Sequence, residues 1–467
     1  MKLKPIVTTL CIIGLMSATT VLAATSNAEQ LKTIQAQINQ LKMKINAMPA
    51  KSSTRVVNAN SNVIGLNSTL SSQMMSNYYG NGREMNLLQA RQNGSFANQS
   101  VILGGEAQAD ALHSHTNQDG YFASPIANSV SHHASSVGRL MLSNVRLSSA
   151  IALNNWSTAY IQAGSYNVGE GSTYLSGSST NTVGSNNVNI QDAYLVLGNL
   201  AQSPMYGFVG KKDIDFGSFA SVQPYSQPLT ALYFSPTANT AGVGYTNYGL
   251  NLTGSVMNGG SANGIVAVNN ISQRQNLDTQ NANGINNYAL NAAYNHNDNG
   301  VNWSMGAGYL NGSILTQPNG NSNGAWDVNA KASVNNFDLL AEYVSTVHTA
   351  SSISGTTTSG TFFPNAIVTA MSLGGDYKFM TKGYNSVAAL SYSKLGQGHS
   401  AGNAYQYAAS YRVQPFSSNN VWTGLEYAHS KGLVNGFLFG SNTGTPNSYS
   451  GSTAKNNTVV LDITAFF

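Results

Sequence analysis

Asn287 to Tyr309 constrains the fold more than any other stretch of this chain. Tyr288, Leu290, Ala292 and Tyr294 alternate with Asn287, Ala289, Asn291, Ala293 and Asn295. After Asn297-Asp298-Asn299-Gly300, the residues Val301, Trp303, Met305, Ala307 and Tyr309 alternate with Asn302, Ser304, Gly306 and Gly308. A period of two puts one set on each face of a strand, and an Asn/Gly turn joins two such strands into a hairpin. One face is greasy and uncharged and the other small and polar, the pattern of a membrane barrel wall.

The alternation recurs down the chain. Segments of this kind fall near 101–112, 139–153, 156–166, 188–199, 205–212, 240–246, 248–257, 285–296, 301–310, 324–334, 337–347, 366–379, 385–395, 404–413, 420–430 and 456–467. The count is sixteen, an even number as bacterial single-chain barrels require. The connections alternate between short Asn/Gly turns and long polar loops, so all short ones fall on the periplasmic side if the first strand starts there. The segment at 240–246 is the weakest of the set, and Ile265-Val266-Ala267-Val268 offers an extra hairpin inside 258–284. The last segment places Val459, Leu461, Ile463, Ala465 and Phe467 on one face and stops on the Phe, the kind of signal that barrel-assembly machinery reads. The expected fold is all-β: a 16-stranded antiparallel transmembrane β-barrel preceded by a short N-terminal coiled-coil helix.

Composition agrees. Only 8% of the 467 residues are charged, against about 25% in soluble domains. The 24 Tyr, 15 Phe and 4 Trp argue against long disorder, and beyond the N-terminus no run of about 18 apolar residues suggests a spanning helix. Met1 to Ala23 reads as a secretory signal, with Lys2 and Lys4, an apolar stretch from Ile6 to Met16, and Val21-Leu22-Ala23 before the cut. Cys11, the one cysteine, leaves with it, so no disulfide or thiolate site is expected in the mature chain. Residues 24–49 form a periplasmic coiled-coil helix in this reading. Leu31, Ile34, Ile38, Leu41, Ile45 and Met48 make an a/d seam suited to a homotrimer through 31–48, or to docking elsewhere. Residues 50–100 read as a Ser/Asn-rich linker and 101–467 as the outer-membrane barrel. No basic stripe interleaved with aromatics is present, so nucleic acid is not an expected partner; lipid is.

Strand parity then sorts the charges. Glu106, Asp110, Arg146, Asp192, Lys211, Asp327, Lys331, Asp338, Glu342, Asp376, Lys378, Lys394, Arg412, Glu426 and Asp462 are expected on the inner face, lining an aqueous lumen. Opposed signs there would select polar solutes. The region from Gly210-Lys211-Lys212-Asp213-Ile214-Asp215-Phe216-Gly217 to Tyr233 is the candidate for a loop folded into the lumen, with Lys211, Lys212, Asp213 and Asp215 as its charged rim. Exposure at the surface is the alternative. His113, His115, His132 and His133 concentrate imidazole at one loop, without a carboxylate partner for a metal. No hydrolase or phosphate-binding motif appears, so no enzyme activity, cofactor or metal is expected.

Taken together, the signal, the short heptad seam, the Ser/Asn stretch, Gly104-Gly105-Glu106-Ala107-Gln108-Ala109-Asp110 opening the first strand, Gly210-Lys211-Lys212 and the terminal Phe467 resemble the LbtU family of siderophore porins. The resemblance implies an outer-membrane receptor for ferric siderophore that works without TonB. In keeping with that, residues 24–100 are too few and too polar to be the folded plug of a TonB-dependent receptor. A general diffusion porin and a surface adhesin are the other readings the sequence allows.

Overall fold

The computed structural model describes residues 82–117, 135–168, 188–258, 285–298, 300–313, 315–317, 323–350, 366–396, 404–416, 420–434 and 454–467. Short pieces at 64–66, 70, 74, 171–172, 183–184, 263–264, 352–353 and 437–438 are also described. All of these lie in the unit Asn60–Phe467. The expected signal, the 31–48 seam and Ile265–Val268 fall outside the described residues.

Sixteen long strands form one closed antiparallel sheet. In chain order they are β1 (Ser100–Thr116), β2 (Ser136–Ala152), β3 (Ser157–Val168), β4 (Asn189–Gly198), β5 (Met205–Asp213), β6 (Pro236–Asn247), β7 (Leu250–Asn258) and β8 (Ile285–Asp298), followed by β9 (Val301–Leu310), β10 (Ala325–Val334), β11 (Phe337–Thr346), β12 (Thr369–Thr381), β13 (Tyr384–Gly396), β14 (Ala404–Val413), β15 (Val421–Lys431) and β16 (Lys455–Phe466). Each pairs with the next, and β16 returns to β1 through Glu106↔Phe466 to Thr116↔Asn456. Closure removes every free edge, which lipid would not tolerate. The sixth strand is longer than the expected 240–246 because Thr237 to Asn239 continue the ladder against β5. Asn263 and Gly264 pair with its first residues.

The strand ends that the long connections join lie at one end, here the upper end, and the short turns at the lower end. Tyr248 and Gly249 both take positive φ, as do Lys382 and Gly383; such tight two-residue turns match the strand twist. Outside, the wall is apolar: Leu290, Met305, Leu339, Leu373, Leu390, Leu425, Leu461 and Ile463 are all exposed. Rings flank this belt. Tyr288–Tyr309 and Trp326–Tyr343 meet at the upper end, and Tyr294–Trp303 and Phe337–Tyr377 at the lower. An apolar band between two aromatic girdles is what a barrel presents to a bilayer.

The lower seam is finished by the two ends of the unit. Gly105 and Phe467 exchange both backbone hydrogen bonds at 3.0 Å, and Ile64–Leu66 pairs in parallel with Val101–Leu103 just below them. The Phe467 ring occupies the space a side chain at Gly105 would need. Gly105→Ala should therefore turn the half-exposed Phe467 ring off this site, at a cost of about 1 kcal/mol, and lower the yield of heat-modifiable, folded barrel on gels. Wild-type folding yield would contradict that packing account.

The expected linker over 50–100 departs from the structure in its second half. Helix α1 (Arg83–Gln92) lies inside the barrel, where Leu87 and Leu88 pack with Leu70, Met74, Tyr160, Tyr194, Val196, Tyr206 and Phe208. Those five wall residues face inward on β3, β4 and β5. Ordinary alternation puts polar groups there, and burial beneath a helix explains why this wall is greasy on both faces.

Candidate functional site: the lumen

Two segments narrow the lumen. The first is the β5–β6 connection, Ile214 to Ser235, which folds inward as expected. It leaves β5 and returns to β6 beside itself, with the Ile214 amide donating to the Pro236 carbonyl at 2.9 Å. In between it lies along the inner wall of β9 to β15. Phe216 sits over Gly308 and Val222 over Gly374, both positions where a Cβ would collide or crowd. Phe216, Phe219, Leu229, Tyr233 and Phe234 are buried against inward residues such as Leu310, Val344, Ala370 and Leu395. The short helix α2 (Leu229–Phe234) completes this contact, and Thr230 Oγ1 donates to Ser372 Oγ at 3.2 Å.

Two wall glutamates clamp this loop. Ser218 and Phe219 donate their amides to Glu342 Oε1 at 2.7 and 2.8 Å. Tyr225 and Ser226 donate theirs to Glu426 Oε2 and Oε1 at 2.9 and 3.0 Å. Gln223 Nε2 adds a bond to the Ala408 carbonyl at 3.1 Å. Consecutive amides converging on an anion make charge-assisted bonds, stronger than neutral ones. Glu342 and Glu426 thus hold the constriction, where sequence parity alone made them wall residues facing water.

The second segment is α1, against β1 to β5. Its upper end carries a buried charge lock. Arg83 pairs with Asp192 and, at 3.5 Å, with Asp213. Lys212 Nζ lies 3.0 Å from Glu84 Oε1 and 3.1 Å from Asp215 Oδ2. Burial pushes the Glu84 carboxyl up to about 8, with Asp215 adding to the rise and Lys212 opposing it. Burial would also raise Asp215, but Lys212 and hydrogen bonding from Glu84 hold it below its ordinary value. Burial disfavours the Arg83 charge, yet Asp192 and Asp213 outweigh that and keep it protonated. At the lower end Arg91 donates to the Ser157 carbonyl at 3.0 Å and to Thr158 Oγ1 at 2.6 Å.

The four residues expected as the rim of the constriction therefore do something else. Lys212, Asp213 and Asp215 fasten α1. Lys211 is corrected to the outward face: inward positions on β5 are Tyr206, Phe208 and Lys212, and the Lys211 ammonium bonds the Ile190 carbonyl at 3.0 Å. Lys394 is corrected likewise. Val387, Ala389, Ser393 and Leu395 are its buried, inward neighbours on β13, so Lys394 shares the outer face with Leu390 and Tyr392.

The remaining expected lining residues do face inward, but their access to water differs. Glu106 and Arg146 pair with each other in a buried bridge, and Asn144 also donates to Glu106 at 3.1 Å. Asp110, Asp327 and Asp462 are buried. Asp338 accepts from Lys378 at 2.5 Å, while the Lys378 side chain stays 57% exposed. Lys331 is exposed, and Arg412 is partly so, its guanidinium over the Trp422 ring at 5.7 Å. Asp338 and Asp376 are the half-buried acids among them, so what the lumen offers to solvent is more basic than its residue count suggests. Among the described residues no cluster of metal-ligating side chains occurs.

No protein-family model matches the chain, and no curated protein matches it. Solved structures resemble it at low identity. The outer membrane channel DcaP of Acinetobacter baumannii is 13% identical, with a TM-score of 0.48 over 79% of this chain and 97% of that one. An anion-selective porin from Comamonas acidovorans is 13% identical, with a TM-score of 0.49 over 79% and 99%. Pseudomonas putida OprB is 10% identical, with a TM-score of 0.49 over 79% and 94%.

Proposed function

We propose that this chain is an outer-membrane channel with a constricted lumen, non-enzymatic, passing small polar solutes with a preference for anions. One observation carries the preference: Lys331 and Lys378 are exposed to the lumen and Arg412 is half-buried there, against only the half-buried Asp338 and Asp376, while Glu106, Asp110, Asp327, Glu342, Glu426 and Asp462 are buried in bridges, clamps or wall. With three cationic side chains reaching solvent against two half-buried carboxylates, the lumen field attracts anions. A ferric siderophore, the solute the LbtU resemblance implies, is the finer reading, since one of the citrate type keeps carboxylate charge on its iron complex and would travel along such a path.

Reversal potentials of the purified protein in planar bilayers under a salt gradient test the coarse reading. Anion preference is expected, and Lys331→Gln with Lys378→Gln should move the potential toward zero. A bilayer that conducts nothing would refute the channel and favour a structural or adhesive barrel. Uptake of radiolabelled ferric siderophore in deletion and complemented cells tests the finer reading. Unchanged uptake alongside anion conductance would leave a general porin. Homotrimer formation through 31–48 remains part of this proposal, as do barrel assembly through Phe467 and a periplasmic N-terminal arm.

A further inference from the structure

The outward face at the upper end is not uniform. On β8 to β11 its ring girdle is Tyr288, Tyr309, Trp326 and Tyr343, with no charged neighbour among the described outward residues. On β13 to β16 a row of register partners reads Lys394↔Tyr405, Tyr405↔Lys431 and Lys431↔Lys455. Parity places all four outward. Tyr405 and Tyr407 stack with each other and with the ring of His429, at 6.1 and 4.8 Å, and Lys455 is exposed beside outward Asn457 and Val459.

Three ammonium groups thus share one row over three strand spacings, about 14 Å. Lys431 and Lys455 stand directly opposite each other, an arrangement of like charges that destabilises a sheet. No acidic residue shares the described outward face of β13 to β16. The flanking loop sequences 397–403 and 432–454 contain no Asp or Glu either. None of the three lysines has an ion-pair partner among the described residues. An anion from outside the chain would relieve that repulsion. Being on the lipid side of the girdle, the row meets headgroups and not the lumen stream, and lysine stems lie on apolar wall while their charges reach headgroup level.

We propose that Lys394, Lys431 and Lys455 form a binding site for the phosphate groups of an outer-leaflet lipid, with the Tyr405–Tyr407–His429 stack as the surface on which its non-phosphate part rests. The site is independent of what the lumen carries.

The test uses the full-length protein, delipidated in detergent and examined by native mass spectrometry. The probes are bisphosphorylated lipid A, the same lipid dephosphorylated, and inorganic phosphate. Retention of the bisphosphorylated lipid is expected, with the triple variant Lys394→Gln, Lys431→Gln, Lys455→Gln weakening it roughly a hundredfold at about 1 kcal/mol per lysine. Lys382→Gln, at a lower turn, is the folded control and should bind as wild type does. Equal retention by the triple variant, or equal binding of the dephosphorylated lipid, overturns the proposal. Displacement of the lipid by millimolar inorganic phosphate would overturn the lipid as the occupant in favour of a free-anion site.

Discussion

Single channels of a Glu342→Ala, Glu426→Ala double variant are expected to conduct more, and to admit larger solutes, than the wild type. Each carboxylate accepts two successive backbone amides from the constriction loop, and a hydrogen bond to a charged group contributes about 1.5–3 kcal/mol. Losing four such bonds removes on the order of several kcal/mol. The ends of the loop should stay in place, because Phe216, Leu229 and Phe234 remain buried against the wall. The arm between Ser218 and Ser226 is what loosens, held then by Phe219, Val222 and the Gln223 bond to Ala408, and the lumen widens beside β11 to β15. Glu→Gln at both positions keeps an acceptor oxygen without its charge and should give an intermediate conductance. Bilayer recordings and liposome swelling with graded sugars read the two effects. Wild-type conductance from a double variant that is folded on gels would mean that apolar packing alone holds the loop.

That clamp shows where sequence reading succeeded and where it stopped. The strands were legible because lipid on one side and water on the other impose a strict period of two, visible in Tyr288-Ala289-Leu290-Asn291 without any knowledge of partners. The inward loop was legible from its place between β5 and β6 and its aromatic content. Parity could say that Glu342 and Glu426 face inward. It could not say that they meet amides over 100 residues away in the chain. The two parity errors have a local cause. Lys211 and Lys212 are adjacent, so one must face outward, and only the register with Ala193 and Asn239 assigns which. Lys394 follows Ser391-Tyr392-Ser393, where serine and tyrosine suit either face near a girdle. The luminal helix left a signal that the linker reading overlooked: Tyr194-Leu195-Val196-Leu197 does not alternate. A barrel strand apolar on both faces needs something apolar inside the barrel, and the ten residues of α1 supply it.

Because its lock includes a carboxyl held protonated, α1 should release from the wall as the pH rises. Glu84 sits at about 8 when α1 is docked and returns toward the ordinary value of 4.5 when it is freed into water. Docking therefore takes up a proton between those two limits. The stabilisation is complete below about pH 4.5, falls as the pH rises above it and is lost as pH climbs through 8. Asp215 acts with the opposite sign but only at the acid end, since its docked value is depressed. The other groups facing Glu84 are Lys212 and Tyr206 on β5, Tyr194 on β4 and Arg83 beside it in sequence, with Asp192 and Asp213 on the far side of Arg83. Hydrogen exchange of peptides covering 83–96, corrected for the intrinsic pH dependence, should accelerate between pH 6 and 8.5. Channel conductance should rise in parallel as the β1–β5 side of the lumen opens. Glu84→Gln keeps the shape, leaves Lys212 on Asp215 and should flatten the pH response. Arg83→Ala removes the buried bridge to Asp192 and the contact with Asp213, a loss of about 3–5 kcal/mol, and should undock α1 at every pH. A Glu84→Gln profile identical to the wild type would remove Glu84 from the account. A static helix in Arg83→Ala would show that Leu87 and Leu88 hold α1 with no help from the charges above them.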